Sequence, residues 1–259
     1  MSAPVDQLVA LADPARAEAM ARFFQTGPGG YGEGDVFLGL TVPQVVSVAR
    51  TCVGLDVAEL ESLLEDARHE VRLLALKVMA RECAAGRTPA DRRRELLDLY
   101  LRRTDRVNGW DLVDASAPYV LGLAVLQGAS ASVLYRLAGS SSLWERRIAI
   151  VATLPLVKAG SLDDTFALAA LLEGDRHDLI HKAVGWLLRE AGKKDEARLL
   201  AFLDEHAATL PRTALRYSLE RLSPPVRAHY MAARSSQLGL VIRPTTLPKG
   251  STADAVTKP

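Results

Sequence analysis

Four segments of this 259-residue chain share one pattern, and the distances between them constrain the fold more than anything else in it. HEVRLLALKV, LWERRIAIVA, LIHKAVGWLL and PRTALRYSLE each place basic residues just ahead of a small-and-apolar stretch. Leu74 to Ile148 is 74 residues, or two steps of 37; Ile148 to Ala183 is 35 and Ala183 to Ala214 is 31. A step of that length holds two short helices, and such a unit buries its apolar face only by stacking on its neighbours. The remaining texture agrees. TFALAALLE and KAVGWLLREAG also read at helical period, Ala and Leu dominate, and β-branched residues in strict alternation are nearly absent. Helix-start chemistry marks the breaks: Thr88-Pro89 with Asp91, Ser161 before Asp163 and Asp164, and Ser223 before Pro224.

The expected fold is therefore all-α, a HEAT-like α-solenoid of roughly a dozen short helices whose second helices line a concave face. Residues 1–234 form its single domain. From Ser235 the chain gains Pro, Thr and Ser and loses helical texture, so 235–259 is expected to be a tail, mobile from about Pro244. Hydrophobic residues at 49% and charged residues at 24% exclude wholesale disorder and a disulfide-stapled miniprotein. Net charge is only +1, but it is unevenly spread. Residues 1–70 carry 4 basic and 11 acidic side chains, 71–106 carry 10 and 5, and 201–259 carry 8 and 4. A basic strip beside acidic helices suits a phosphate backbone, although solvated helix faces produce the same counts.

Several chemistries find no support. Cys52 and Cys83 lie in apolar helical patterns and read as small core residues of a reducing compartment. No basic stretch followed by an apolar run opens the chain, and no window approaches a membrane span, so a soluble cytoplasmic protein without membrane contact is expected. Gly27-Pro28-Gly29-Gly30-Tyr31-Gly32 matches G-x-G-x-x-G in letters only, since a helix precedes it where a nucleotide site needs a strand. It reads as a flexible hairpin between helices. His177 and His181 share an i,i+4 spacing without the glutamate of a metalloprotease helix, and the five histidines read as surface or capping residues. No metal or other cofactor is expected.

Val107-Asn108-Gly109-Trp110-Asp111-Leu112-Val113-Asp114 is more informative. Trp110 and Asp114 stand four apart and share one helical face, an aromatic plane beside a carboxylate. Asp111 points elsewhere and suits a capping or dipole role. A buried Trp110 with Asp114 as a second cap or ion-pair partner is the plainer alternative. Lys182, Trp186 and Arg189 form a second stripe, cation, aromatic and cation, compatible with a phosphate backbone or with snorkelling around a packed ring. Arg146 and Arg147 follow Trp144 at a helix start; one of them is expected to face outward, and periodicity does not say which.

These motifs resemble the AlkD-like DNA alkylation-repair glycosylases, through NGWDLVD at 108–114, LWERRIAI at 143–150 and HKAVGWLLRE at 181–190, with GDVFLG at 34–39 and PRTALRY at 211–217 as weaker matches. The resemblance implies removal of cationic N3- and N7-alkylated purines from double-stranded DNA, without flipping the base into a pocket. It implies that Asp114 is the catalytic carboxylate, that Trp110 and Trp186 are the aromatics at lesion and sugar, and that Arg147 contacts the backbone; the stripe cations Lys182 and Arg189 are expected to hold phosphates beside it. It further implies a monomer that needs no metal and, lacking a lysine in the matched pattern, does not cleave the strand. Gly109 stands where some members carry a bulkier residue, so a wider groove and tolerance of bulky adducts are expected. Phe23, at the end of the first helix, either joins the site or packs in the core, and the core is the expected place. The rival readings are a non-catalytic DNA-binding HEAT protein and a protein-interaction scaffold.

Overall fold

The computed structural model describes residues 3–238. Sixteen α-helices fill it: α1 (Ala3–Val9), α2 (Pro14–Phe23), α3 (Val42–Thr51), α4 (Val57–Leu64), α5 (His69–Ala84), α6 (Ala90–Arg102), α7 (Trp110–Ala117), α8 (Leu123–Leu126), α9 (Ser132–Ala138), α10 (Leu143–Val151), α11 (Leu154–Ala159), α12 (Asp163–Leu171), α13 (Asp178–Gly192), α14 (Glu196–His206), α15 (Arg212–Ser218) and α16 (Pro224–Leu238). Among the described residues the only extended pairing is an isolated parallel bridge between Val36 and Arg68. Local chemistry starts the helices where the sequence suggests. Asp56 and Glu59 cap α4 reciprocally, each side chain accepting the other's backbone N–H, and Asp13 accepts from the Arg16 N–H at the head of α2. The breaks expected near Pro89, Ser161 and Ser223 lead into α6, α12 and α16.

The helices stack in two rows. In the first, α3, α5, α7, α10, α13 and α15 pack side by side in chain order. The second covers it, with α4 and α6 on α5, α9 and α12 on α10, and α12 and α14 on α13. The repeat read from the sequence is the first row: Leu74, Ile148, Ala183 and Ala214 lie buried in α5, α10, α13 and α15. The midpoint of the 74-residue step, position 111, falls in α7. Two glycines set the spacing in this row. A Cβ on Gly185 of α13 would come within 2.5 Å of the Ala214 carbonyl oxygen and the Tyr217 Cβ of α15. A Cβ on Gly122, in the π-helical turn Pro118–Gly122, would strike the Ala152 carbonyl. The core runs unbroken from Val5 to Tyr230.

The count exceeds the expected dozen because several stretches divide into helices of four to ten residues, as where the π-helical Pro118–Gly122 separates α7 from α8. Cys52 and Cys83 are buried, as expected. Ser235–Leu238 continue α16, and the rest of the segment read as a tail, 239–259, lies outside the described residues. No described helix is long and apolar enough to cross a membrane.

Candidate functional site

The site is assembled where the glycine-rich connection after α2 meets the first turns of α5, α7 and α10. α2 ends in two adjacent aromatics with opposite fates. Phe24 turns inward and stacks on Trp110, centroids 5.4 Å apart and planes within 7°. Phe23 stays 64% exposed, its ring edge-on to Trp110 at 6.2 Å. The core position expected for Phe23 is thus overturned; its neighbour takes the buried slot, and Phe23 extends the aromatic surface of Trp110. The connection itself is packed rather than a loose hairpin. A Cβ on Gly30 or Gly32 would run into the carbonyl of Gln25 or Phe24. The Tyr31 hydroxyl donates to the Phe23 carbonyl (3.2 Å), and its ring sits edge-on to Trp144 at 6.2 Å.

Beneath Trp110 lies a buried ionic relay. His69, 1% exposed at the start of α5, donates from Nδ1 to Asp35 (2.7 Å) and from Nε2 to Asp111 (2.8 Å). An imidazole with a carboxylate at each nitrogen satisfies both contacts only when doubly protonated. Burial works against that charge, but hydrogen bonds and charge from Asp111 and Asp35 outweigh it and raise the pKa to about 9. Arg72 closes the far end on Asp35. Phe37 and Phe24 pack against the imidazole at 4.5 and 5.1 Å, so the ring that stacks on Trp110 also rests on His69. Of the histidines read as surface or capping residues, His177 does cap α13 by accepting the Leu179 N–H, whereas His69 is an interior ion. Asp111, read as a cap, is its partner.

Gly109 belongs to this relay and not to the groove. It is buried, and a Cβ there would lie 3.0 Å from Asp111 Oδ1, 3.1 Å from His69 Cε1 and 3.3 Å from Leu112 Cγ. The missing side chain makes room for the His69–Asp111 bond, so the expectation that Gly109 widens the groove is corrected.

One turn along α7 from Trp110, Asp114 keeps 26% of its side chain exposed. Arg147 grips it with two hydrogen bonds, Nε to Oδ1 at 3.1 Å and Nη2 to Oδ2 at 2.9 Å. Nη1 of the same guanidinium donates to the Leu179 carbonyl (2.6 Å), tying α7, α10 and the head of α13 together. Burial holds the Asp114 pKa above the ordinary carboxylate value; Arg147 opposes this and the nearby Asp111 charge adds to it. Arg147 itself is 5% exposed, its donors turned to the interior rather than outward to a phosphate. Arg146 does not face outward freely either, being bound to Asp175 (2.6 Å) and the Ser141 carbonyl (2.9 Å). The outward arginine expected of this pair is therefore absent.

Trp110, Asp114 and Arg147 are thus brought together. Trp186 sits further along the row on α13, half-buried against the core, with α10 between it and α7. Its flanking cations are engaged. Lys182 pairs with Asp178 at 2.8 Å, which raises its pKa, and Arg189 pairs with Glu220 and Glu190. The sequence reading missed His69, Asp35 and the exposure of Phe23. The first two stand inside quoted segments, HEVR and GDVF, but nothing in their spacing pairs residues 34 apart.

Three comparisons bear on this arrangement. A search of curated proteins finds no match. Among solved structures, the chain is similar to a predicted DNA alkylation repair enzyme from Enterococcus faecalis, with a TM-score of 0.64, 17% identity, and 82% of this chain and 97% of that one covered. At that identity the likeness carries the fold. The model of the DNA alkylation repair enzyme family matches residues 5–222, a span holding both helix rows and every site residue above. The chain belongs to the DNA alkylation repair enzyme family.

Proposed function

We propose that the protein is a monofunctional DNA glycosylase that excises cationic N3- and N7-alkylated purines from duplex DNA without base flipping. The observation that carries this reading is Asp114: a partly exposed carboxylate, fixed in place by Arg147 and flanked by the Trp110–Phe23 aromatic surface. A purine alkylated at N3 or N7 already carries positive charge and leaves without a general acid. As the C1′–N bond breaks, its electron pair neutralises the departing base and cationic character passes to the deoxyribose. Asp114 would stabilise that cation and orient the water that adds at C1′, the released proton passing to solvent. A carboxylate whose pKa is held up by burial gains more from an approaching cation than one fully solvated. Trp110 and Trp186 would hold the cationic nucleotide and its sugar against their faces, each contact contributing about 0.5–2 kcal/mol. Arg147, facing inward, would act as a positioning residue for Asp114. Lys182, half exposed, and Arg189 would reach phosphates by exchanging their present carboxylate partners.

The test is release of free base from duplex carrying N7-methylguanine or N3-methyladenine, by wild type and Asp114→Asn in parallel. Wild type should release base above spontaneous depurination, and the variant should lose on the order of 10²–10³ in rate. Equal release by both would remove Asp114 from the chemistry. No release by either, on methylated and then on bulky alkylpurines, would overturn the reading in favour of a binding protein.

A further inference from the structure

A second feature lies one helical turn beyond Asp114 and takes no part in the chemistry above. Three consecutive first-row helices, α3, α5 and α7, enclose an open cavity of about 490 Å³. Its floor is apolar, formed by Val46, Ala49 and Ala80, and Tyr119, 41% exposed, stands at its edge. Lys77, Arg81 and Arg87 also line it, as does Glu82, whose carboxylate is taken up by Arg92 and the Gly54 N–H. No carboxylate lies within ion-pair distance of any of these three cations among the described residues. Elsewhere in the molecule Arg72, Arg92, Arg103, Arg146, Arg147 and Arg189 are all held by acidic side chains. Lys77 is half-buried, and burial depresses its pKa while the charge of Asp111 partly restores it. An ammonium in that position gains from an anion that enters the cavity.

We propose that this cavity is a subsite for the phosphodiester backbone of the DNA duplex, resting on the reading that the protein acts on duplex DNA. Lys77 and Arg81 stand at i,i+4, about 5–6 Å apart on one face of α5, and Arg87 adds a third cation just past the helix end. Unpaired cations above an apolar floor suit a strand that presents charged phosphates and apolar sugar faces in alternation. The cavity adjoins the candidate active site along α7. Ala115, on its wall, follows Asp114 directly, and the charge of Asp111 reaches Lys77. A strand whose sugar sits at Asp114 would carry its neighbouring phosphates toward this opening. These three cations fall within the basic stretch 71–106, so the strip legible in the sequence acquires a location.

The experiment measures duplex affinity against salt concentration for wild type, Lys77→Gln/Arg81→Gln/Arg87→Gln, and Arg136→Gln, an exposed cation on α9 of the second row. Each lost phosphate contact should reduce the slope of log K against log salt by about 1, equally on alkylated and undamaged duplex. Arg136→Gln should keep the wild-type slope. The proposal is overturned if the triple variant keeps the wild-type slope, or if Arg136→Gln lowers it as much per residue. Should the triple variant fail to fold, Arg81→Gln/Arg87→Gln changes two exposed residues and is read in the same way. Inorganic phosphate distinguishes a small-anion site: saturable binding at micromolar phosphate with an unaltered slope in the variant would overturn the DNA assignment alone. Absence of salt-dependent duplex binding by wild type would overturn the functional reading and this subsite with it.

Discussion

Raising the pH should weaken this protein through one residue. His69 has its pKa raised from 6.5 to about 9 because two carboxylates flank a buried imidazolium. A group whose folded pKa exceeds its unfolded value contributes fully below the unfolded pKa and loses that contribution as pH rises through the folded one. The window therefore opens near pH 6.5 and closes above about 9. At about 1.36 kcal/mol per pH unit the difference amounts to about 3 kcal/mol, a large share of a typical domain's stability. Other groups face the relay: Arg72 on Asp35, and Asp114 and Lys77 beside Asp111. Lys77, with its lowered pKa, works in the opposite sense, so the useful quantity is the difference between wild type and His69→Gln at each pH. Urea unfolding of both from pH 6 to 10 should show that difference shrinking by about 3 kcal/mol. If His69→Gln does not fold, Asp111→Asn replaces it; removing one flanking charge should lower the pH at which the contribution disappears. A difference that stays constant across the range would refute the charged relay and leave a neutral, merely packed histidine.

Other perturbations separate groove from interior. Phe23→Ala removes a ring that is 64% exposed, so unfolding should change by less than about 0.5 kcal/mol, while affinity for alkylated duplex falls by about 0.5–1.5 kcal/mol. Gly109→Ala should do the reverse, costing about 1–3 kcal/mol in urea unfolding because its Cβ would press on Asp111, His69 and Leu112. Arg147→Gln should move the acid limb of the excision pH profile upward, since Asp114 loses the group that opposes its burial. A lower salt slope of binding with an unmoved acid limb would instead assign Arg147 to the backbone.

The sequence made the row of first helices readable because burial repeats: Leu74, Ile148, Ala183 and Ala214 occupy one register, and each is apolar or small for the same reason. The Trp110–Asp114 face was readable because both residues belong to one helix, where spacing of four fixes direction. What escaped was set between elements. Arg146 and Arg147 differ in partner, not in periodicity, and the partners, Asp175 and Asp114, come from a loop and from another helix. Phe24, not Phe23, takes the buried place because the chain leaves α2 at Phe24, and its turn aims that ring at Trp110. His69 was obscured by composition, since buried charge is rare enough that a lone histidine in a helix start reads as surface.

The two ionic clusters under the groove share one border, and that border explains why a paired carboxylate can still serve a cation. Asp35 and Asp111 are matched by Arg72 and His69, and Asp114 is matched by Arg147, so the formal charges sum to zero. Neutrality in sum is not neutrality at a point. Burial pushes the Asp114 pKa up, Arg147 opposes it, and the charge of Asp111 adds a smaller upward push, so the pKa stays above its ordinary value. Arg147 holds both carboxylate oxygens in place, and Asp114 keeps 26% of its side chain open to a cation. A positive charge developing on a sugar would then meet a dipole already aligned, with little reorganisation required during bond cleavage. Deprotonation of His69 would add uncompensated negative charge behind Asp111 and raise the Asp114 pKa again. The stability relay and the candidate catalytic carboxylate are therefore coupled through a single side chain, Asp111.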